Sequence, residues 1–345
     1  MLKYSLKRIA LALITAFIII TLTFFLVKSL PYNGIVAPQE HTRWAFYIEE
    51  MNKGYVIDCA IESPQYGTLL DKITDLNGVE HYFYQTPIID QYLAWLKRIV
   101  TAWDWGKSTV IEPNISTSSI IMSRLPVSVS INVISVIISV PLGILLGIVA
   151  GLNKNTWVDH TISTLVMIFI SIPSFVVISF LIYFMAIKGN LPTRWPTSDE
   201  TSSVKALAYI IPVMSLSFGS ICGYTRFVRA ELCEVMSSEY LILARTKGLT
   251  NRQAIVRHAL RNAFVPILPS ILAEFIGVFS GSMILENLYN INGIGDLYIF
   301  ALNNKDYNVL MVDMAIFITI GLLAGIVLDL SYGFIDPRIR MGEKR

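Results

Sequence analysis

Glu239-Tyr-Leu-Ile-Leu-Ala-Arg-Thr-Lys-Gly248-Leu-Thr-Asn-Arg-Gln-Ala-Ile-Val-Arg-His-Ala-Leu-Arg-Asn262 is a polar stretch set between two long apolar runs. A charged segment tied at both ends to such runs is an ordered loop of a membrane protein, shaped to touch something. Its chemistry specifies two short helices with a break between them. Ser237 or Ser238 can cap the first by accepting a backbone N–H. Glu239 falls in its first turn and Arg245 and Lys247 in its last, an order that complements the helix dipole. Gly248 supplies the left-handed position that ends helices, and Thr250 with Gln253 forms a capping-box pattern that starts the next one. Arg252, His258 and Arg261 make this second helix basic, and it runs to Pro266. The plainer reading is a solvated amphipathic loop, although such loops usually carry weaker start and stop signals.

The surroundings decide what the loop belongs to. The chain has 345 residues, of which 54% are hydrophobic and 15% charged, with a mean hydropathy of +0.59. Soluble domains are about 25% charged. The deficit is gathered into runs long enough to cross hydrocarbon, which takes about 20 apolar residues. Ile9 to Val27, Leu125 to Asn153, Thr161 to Ile187 and Ala206 to Thr225 carry no charge. Ala263 to Leu288 and Tyr307 to Phe334 hold isolated acids only. The fold class is therefore an all-α integral membrane protein with six transmembrane helices and a small extracytoplasmic domain between the first two. Its parts are a cytoplasmic N-terminus (1–8), helix one (9–30), the external segment (31–120), a bundle (121–335) and a cytoplasmic C-terminus (336–345). The bundle's helices cover about 126–151, 161–187, 206–226, 264–288 and 309–334, with the loop at 236–262. The first run is too long for a signal-peptide core, and no small-x-small site follows it.

Orientation follows from the bases near span ends. Lys3, Lys7 and Arg8 hold the N-terminus inside, and six crossings return Arg338, Arg340, Lys344 and Arg345 to the same side. The 236–262 loop, flanked by Arg226 and Arg229, also falls inside. The external segment is rich in acids and aromatics, among them Trp44, Tyr47, Phe83 and Trp95, which argues for a folded cap. Gln91 to Ala102 reads as a helix at the membrane interface. The cap is either a docking surface for an external protein or an ordered insertion without a partner.

Within the spans, Gly143, Gly147 and Gly151 recur every fourth residue, as do Gly277 with Gly281 and Gly321 with Gly325. That spacing lets helix backbones approach closely in lipid. Pro141, Pro173 and Pro212 each invite a kink. Glu274 is the most informative polar group, since a carboxylate near the bilayer centre costs on the order of 3 kcal/mol. It either lines a wet pathway, with Asn132 and Glu286 as companions, or makes a helix–helix hydrogen bond.

Groups for chemistry are sparse. Gly106-Lys-Ser-Thr109 imitates the end of a phosphate loop, but Thr101 stands where the first glycine is required. His41, His81, His160 and His258 form no zinc-spaced pair. The basic loop's interleaved Leu, Ala and Ile favour a protein groove over nucleic acid. The chain reads as a pathway subunit and not an enzyme, with no catalytic, metal or cofactor residues of its own.

Ala244-Arg-Thr-Lys-Gly248 and Arg257-His-Ala-Leu-Arg-Asn-Ala263 resemble the cytoplasmic loop of permease subunits of bacterial ABC importers. The closest branch is the peptide/nickel permeases, specifically the first of the two oligopeptide-type permeases. The general importer motif has Glu-Ala-Ala where this chain has Ile242, Leu243 and Ala244, and its later Ile and Leu-Pro fall on His258, Leu260 and Arg261. The peptide branch shares these departures. Leu2 to Ile9, Arg124-Leu-Pro126, Ser171-Ile-Pro-Ser-Phe175, Gly281-Ser-Met-Ile-Leu-Glu286 and Asp336-Pro-Arg-Ile-Arg340 are also similar, whereas about 35–95 matches poorly.

The resemblance implies a type I importer fold in the bacterial cytoplasmic membrane, surrounded by lipid. It implies a homologous second permease, two ATP-binding subunits that carry ATP and Mg, and an extracytoplasmic substrate-binding protein. Docking onto the ATPase would rest on Glu239, Tyr240, Leu243, Ala244, Arg245, Lys247 and Gly248. Oligopeptide is the expected cargo, with nickel chelate or haem as alternatives. An ion-coupled secondary transporter is the competing class, although no internal repeat of the kind those proteins show is visible. A receptor or assembly protein whose spans only anchor it is a further one.

Overall fold

The computed structural model describes residues 2–30, 39–62, 65, 67–75, 78–197 and 199–335, with the backbone alone for 2–4 and 332–335. The C-terminal segment 336–345, with the Asp336–Arg340 string and the bases beyond it, lies outside the described residues, as do residues 31–38. The chain divides into two compact units, one of Met1–Ala16, Ile121–Phe300 and Ile316–Arg345, the other of Phe17–Ile120 and Ala301–Ala315.

Long apolar helices dominate. They are α1 (Leu2–Lys28), α4 (Thr117–Leu152), α8 (Ile210–Met236, preceded by the short α7, Ser202–Ala208) and α15 (Tyr307–Ile335). Among the described residues four helices are long and apolar enough to cross a membrane, and two bent pairs bring the number to as many as six. The expected span 161–187 is one of these pairs. It is α5 (Trp157–Ile170) followed by α6 (Ser174–Leu181), which runs on as a π turn over Ile182–Ile187. The two halves meet at 97°. Proline has no N–H to give, and its ring pushes the preceding residue out of the helical region. At Pro173 the result is a corner and not a kink. Pro141 behaves otherwise, because α4 continues through it. Pro212 sits in the first turn of α8, where the missing N–H has no helical acceptor to lose.

The expected helix 264–288 is likewise in pieces. Its segments are α12 (Ile267–Gly277) and α13 (Met283–Leu288), with Val278 to Ser282 outside both. A further short helix, α14 (Ile294–Asn303), follows and had no counterpart in the expected span set.

In the first unit α8 is the spine. A Cβ placed on Gly143 would stand 2.7 Å from the Tyr224 Cβ, and one on Gly147 2.6 Å from the Val228 Cβ. The glycine stripe therefore exists to seat α4 against α8. Gly277, Gly321 and Gly325 face open space instead, so their spacing does not mark packing within this chain. At the chain's ends, Arg8 on α1 pairs with Asp329 on α15 at 3.1 Å.

The second unit contains what the all-α expectation left out. Between α2 (Glu40–Asn52) and α3 (Ile88–Ala102) lie β1 (Val56–Cys59), β2 (Leu69–Thr74) and β3 (Glu80–Gln85). They form an antiparallel sheet in the order β1-β3-β2. β3 is central and aromatic, with Tyr82, Phe83 and Tyr84 all buried, and Tyr47 of α2 stacks on Phe83 at 4.7 Å. In the same unit the Gly106–Ile111 stretch does build an anion nest. Its anion is the chain's own Asp306. That carboxylate accepts the N–H groups of Thr109, Val110 and Ile111, each at 3.1 Å, and the Ser108 hydroxyl.

Candidate partner-docking loop and polar cleft

The 236–262 loop folds almost as its residues dictate. α9 spans Glu239–Thr246, with Glu239 in the first turn and Arg245 in the last. Gly248 follows at φ +93°, and its N–H closes on the Arg245 carbonyl at 3.0 Å. A Cβ on Gly248 would meet nothing within 4 Å, so the backbone angle alone demands glycine there. Thr250 then caps α10 (Asn251–Ala254), and both halves of the capping box with Gln253 are present.

Two details differ from the sequence reading. Ser238 is the N-cap of α9 by backbone only. Its hydroxyl, like that of Ser237, donates back to carbonyls at the end of α8. Those carbonyls lie in the last turn of α8, where each already accepts the N–H of the same serine and takes its hydroxyl as a second donor. The second helix is also not uniform. Ile255–Ala259 forms a π turn before α11 (Leu260–Ala263), and a 51° bend separates this rod from α12. π turns concentrate at functional sites.

Leu241 of α9 is fully buried with Leu232 of α8 and with Ala254, Ala259 and Ala263 of the second rod. That cluster fixes the elbow and leaves the other side of α9 outward. Glu239, Tyr240, Leu243, Arg245, Lys247 and Gly248 are exposed and Ala244 is half-buried. All seven proposed contact residues therefore sit on one short element and its exit turn. Exposed Ile242 and Val256 add to its apolar surface.

A residue the sequence reading missed ties α5 to α8, the helix that leads into the loop. Asp159, fully buried in the first turn of α5, takes a bidentate grip from Arg229 of α8, with the Nη2 contact at 2.7 Å. The Asn155 N–H and the Ser163 hydroxyl complete its shell. A lone acid just outside an apolar run gave no sign of its partner seventy positions away.

Asn132, Ser135, Ser220 and Glu274 line an open cleft with about 480 Å³ of empty space, together with Val136, Leu216, Gly277 and Val278. Glu274 faces both a neighbouring helix and open space. It lines the cleft, and it accepts the Ser220 hydroxyl across α8 at 2.7 Å. Asn132 donates to the carbonyls of Val278 and Ser280 at 3.0 and 3.1 Å. These lie where the chain leaves α12, so the side chain supplies donors to carbonyls outside any helix.

Glu286 does not join them. It is buried and accepts the N–H groups of Ser282, Gly295 and Asp296, the last two at the start of α14. Its carboxylate is committed to backbone donors at helix ends. That is the reason it leaves the cleft.

The profile of the family described as "Binding-protein-dependent transport system inner membrane component" matches residues 143–341. The chain is 30% identical to the dipeptide transport system permease protein DppB of Lactococcus lactis subsp. cremoris over 343 residues, 99% of this chain and all of that protein. It is 29% identical to the oligopeptide transport system permease protein OppB of Escherichia coli K12, again over 99% of this chain and all of that one. Among solved structures, an amino acid ABC transporter crystallised with histidines aligns with a TM-score of 0.50 at 17% identity. That alignment covers 62% of this chain and 94% of the other, a likeness of fold.

Proposed function

Because the chain belongs to the family of binding-protein-dependent transport system inner membrane components, we propose that it is the permease subunit of an ATP-driven peptide importer. It forms the translocation pathway together with a homologous second permease. Two ATP-binding subunits, holding ATP and Mg, dock on the 239–262 loop from the cytoplasm, and an external binding protein delivers the cargo.

The observation that carries this reading is the elbow itself. A buried Leu241 locks two rods across a positive-φ glycine while Tyr240 and Leu243 stay exposed. A rigid apolar knob at a membrane protein's surface is what a partner groove needs in order to push on a bundle. Closure of the ATPases on ATP moves the elbow. The brace Arg229–Asp159 passes that movement from α8 to α5, and access to the cleft switches. In the cleft, Glu274 and Asn132 offer one carboxyl and one amide, enough for weak contact with a peptide that must leave again.

The Arg8–Asp329 pair supports an even number of crossings, since it brings the starts and ends of the bundle to one side, and the bases Lys3, Lys7 and Arg8 favour the cytoplasm for that side. Peptide is the cargo class favoured by the names of the full-length relatives. The test is reconstitution of the whole assembly in proteoliposomes. Uptake of a labelled peptide should require ATP and the binding protein, and should be indifferent to proton or sodium gradients. Uptake driven by a gradient without ATP would overturn the reading in favour of a secondary transporter.

A further inference from the structure

Helix α3 carries a surface that the importer machinery above leaves unused. At 3.6 residues per turn, Ile89, Leu93, Leu96, Val100 and Trp103 fall on a single stripe. Ile89, Leu93, Val100 and Trp103 are 57–77% exposed. Beside that stripe Asp90, Lys97, Thr101 and Asp104 form a second exposed sector, polar throughout. The third sector is buried, with Gln91 and Trp95 at its centre. An amphipathic helix that folds only against its own domain needs two sectors. This one has three, and the middle one is apolar and uncovered.

The depth of the helix is set by its contact with α1. The Tyr92 hydroxyl meets the Thr21 hydroxyl at 2.9 Å, and Phe24 packs on both Tyr92 and Trp95. Thr21 stands seven residues before Lys28, the last residue of α1, so the contact lies about 10 Å down the axis from that helix end. α1 is long and apolar enough to cross a membrane. A helix held at that level lies at the boundary between headgroups and acyl chains. Leu22 and Leu93, each next in sequence to the bonded pair, are both exposed, so the apolar surface of α1 carries on onto α3. Trp103 ends the stripe in the left-handed conformation, φ +52°, and tryptophan is a residue that settles at membrane–water interfaces.

We propose that α3 lies in the outer leaflet boundary, with the Ile89–Trp103 stripe on lipid and the Asp90–Asp104 sector in water, as interfacial helices do. The lipid surface thus becomes a floor for the 31–120 domain and fixes its tilt for whatever docks from outside. The proposal rests on the membrane-crossing reading of α1 and is independent of the cargo.

Single cysteines at Leu93, Lys97, Val100 and Thr101 would be spin-labelled in a background lacking Cys59 and Cys233. The full assembly would then be placed in nanodiscs of phosphatidylethanolamine and phosphatidylglycerol. Positions 93 and 100 should relax several-fold more with oxygen than with a water-soluble nickel chelate, and 97 and 101 should show the reverse. Nickel access at all four positions would overturn the proposal. So would shielding of 93 and 100 from both reagents, the mark of a protein partner. Uptake by the same labelled complexes is read separately. The accessibility pattern without peptide transport contradicts the transport reading alone.

Discussion

At the residue scale, Gly248 and Asp306 show two ways in which one position commands a region. Gly248 meets no neighbour, so a substitution there costs only the left-handed backbone, roughly 1–2 kcal/mol. Gly248→Val should therefore leave the assembly intact while ATP hydrolysis and peptide uptake lose their proportion to one another. An unchanged ratio of peptide imported to ATP consumed would count against the elbow. Asp306→Ala leaves the buried Ser108 hydroxyl and three part-buried N–H groups without their acceptor and should cost on the order of 2 kcal/mol. Faster proteolysis within residues 103–120 is the readout.

The caps and the glycine of the loop were legible because they act through neighbours three or four positions away. Asp159 with Arg229, and Asp306 with residues 108–111, were not. Their partners come from distant parts of the chain, and no local period connects them. Glu286 illustrates the opposite error. An acid inside an apolar run looked like a pathway group, yet helix-end N–H groups claim it.

Elements show where a local rule stops being enough. Hydropathy located the membrane-length apolar runs, but it passed over the short α14 and has no term for the angle at Ser171–Pro173 or for the gap between α12 and α13. The small sheet was signalled by the strand-favouring aromatics Tyr82-Phe83-Tyr84 and by the β-branched pair Ile73-Thr74 before them. A segment read only as an aromatic-rich cap concealed both. The stripe of Gly143, Gly147 and Gly151 seats α4 on α8, whereas the same spacing in α15 meets no neighbour within this chain. Gly147→Leu should drive α4 from α8 and abolish recovery of a folded complex by gel filtration, because backbone and Val228 leave no room to yield.

The α8–α12 contact through Ser220 and Glu274 gives a sharper split. Glu274→Gln keeps an acceptor for Ser220 and removes the charge. If the charge serves the pathway, peptide uptake falls while thermal stability holds. If the bond serves packing alone, Gln is silent and only Glu274→Leu destabilises.

For the whole molecule, the first and last spans meet at Arg8 and Asp329. An exposed pair of this kind contributes at most about 1 kcal/mol, so its value lies in what it says about sidedness. Cysteines replacing Arg8 and Asp329 should react with an impermeant thiol reagent in inside-out vesicles and stay unlabelled in intact cells.

The proposed function requires α9 to be the seat of an ATPase. A photoreactive benzoyl-phenylalanine at Tyr240 or Leu243, activated in the assembled transporter, tests it most directly. The account predicts an adduct that adds the mass of the ATP-binding subunit from both positions and not from the buried Leu241. Adducts with the external binding protein, or none from either exposed position, would contradict it.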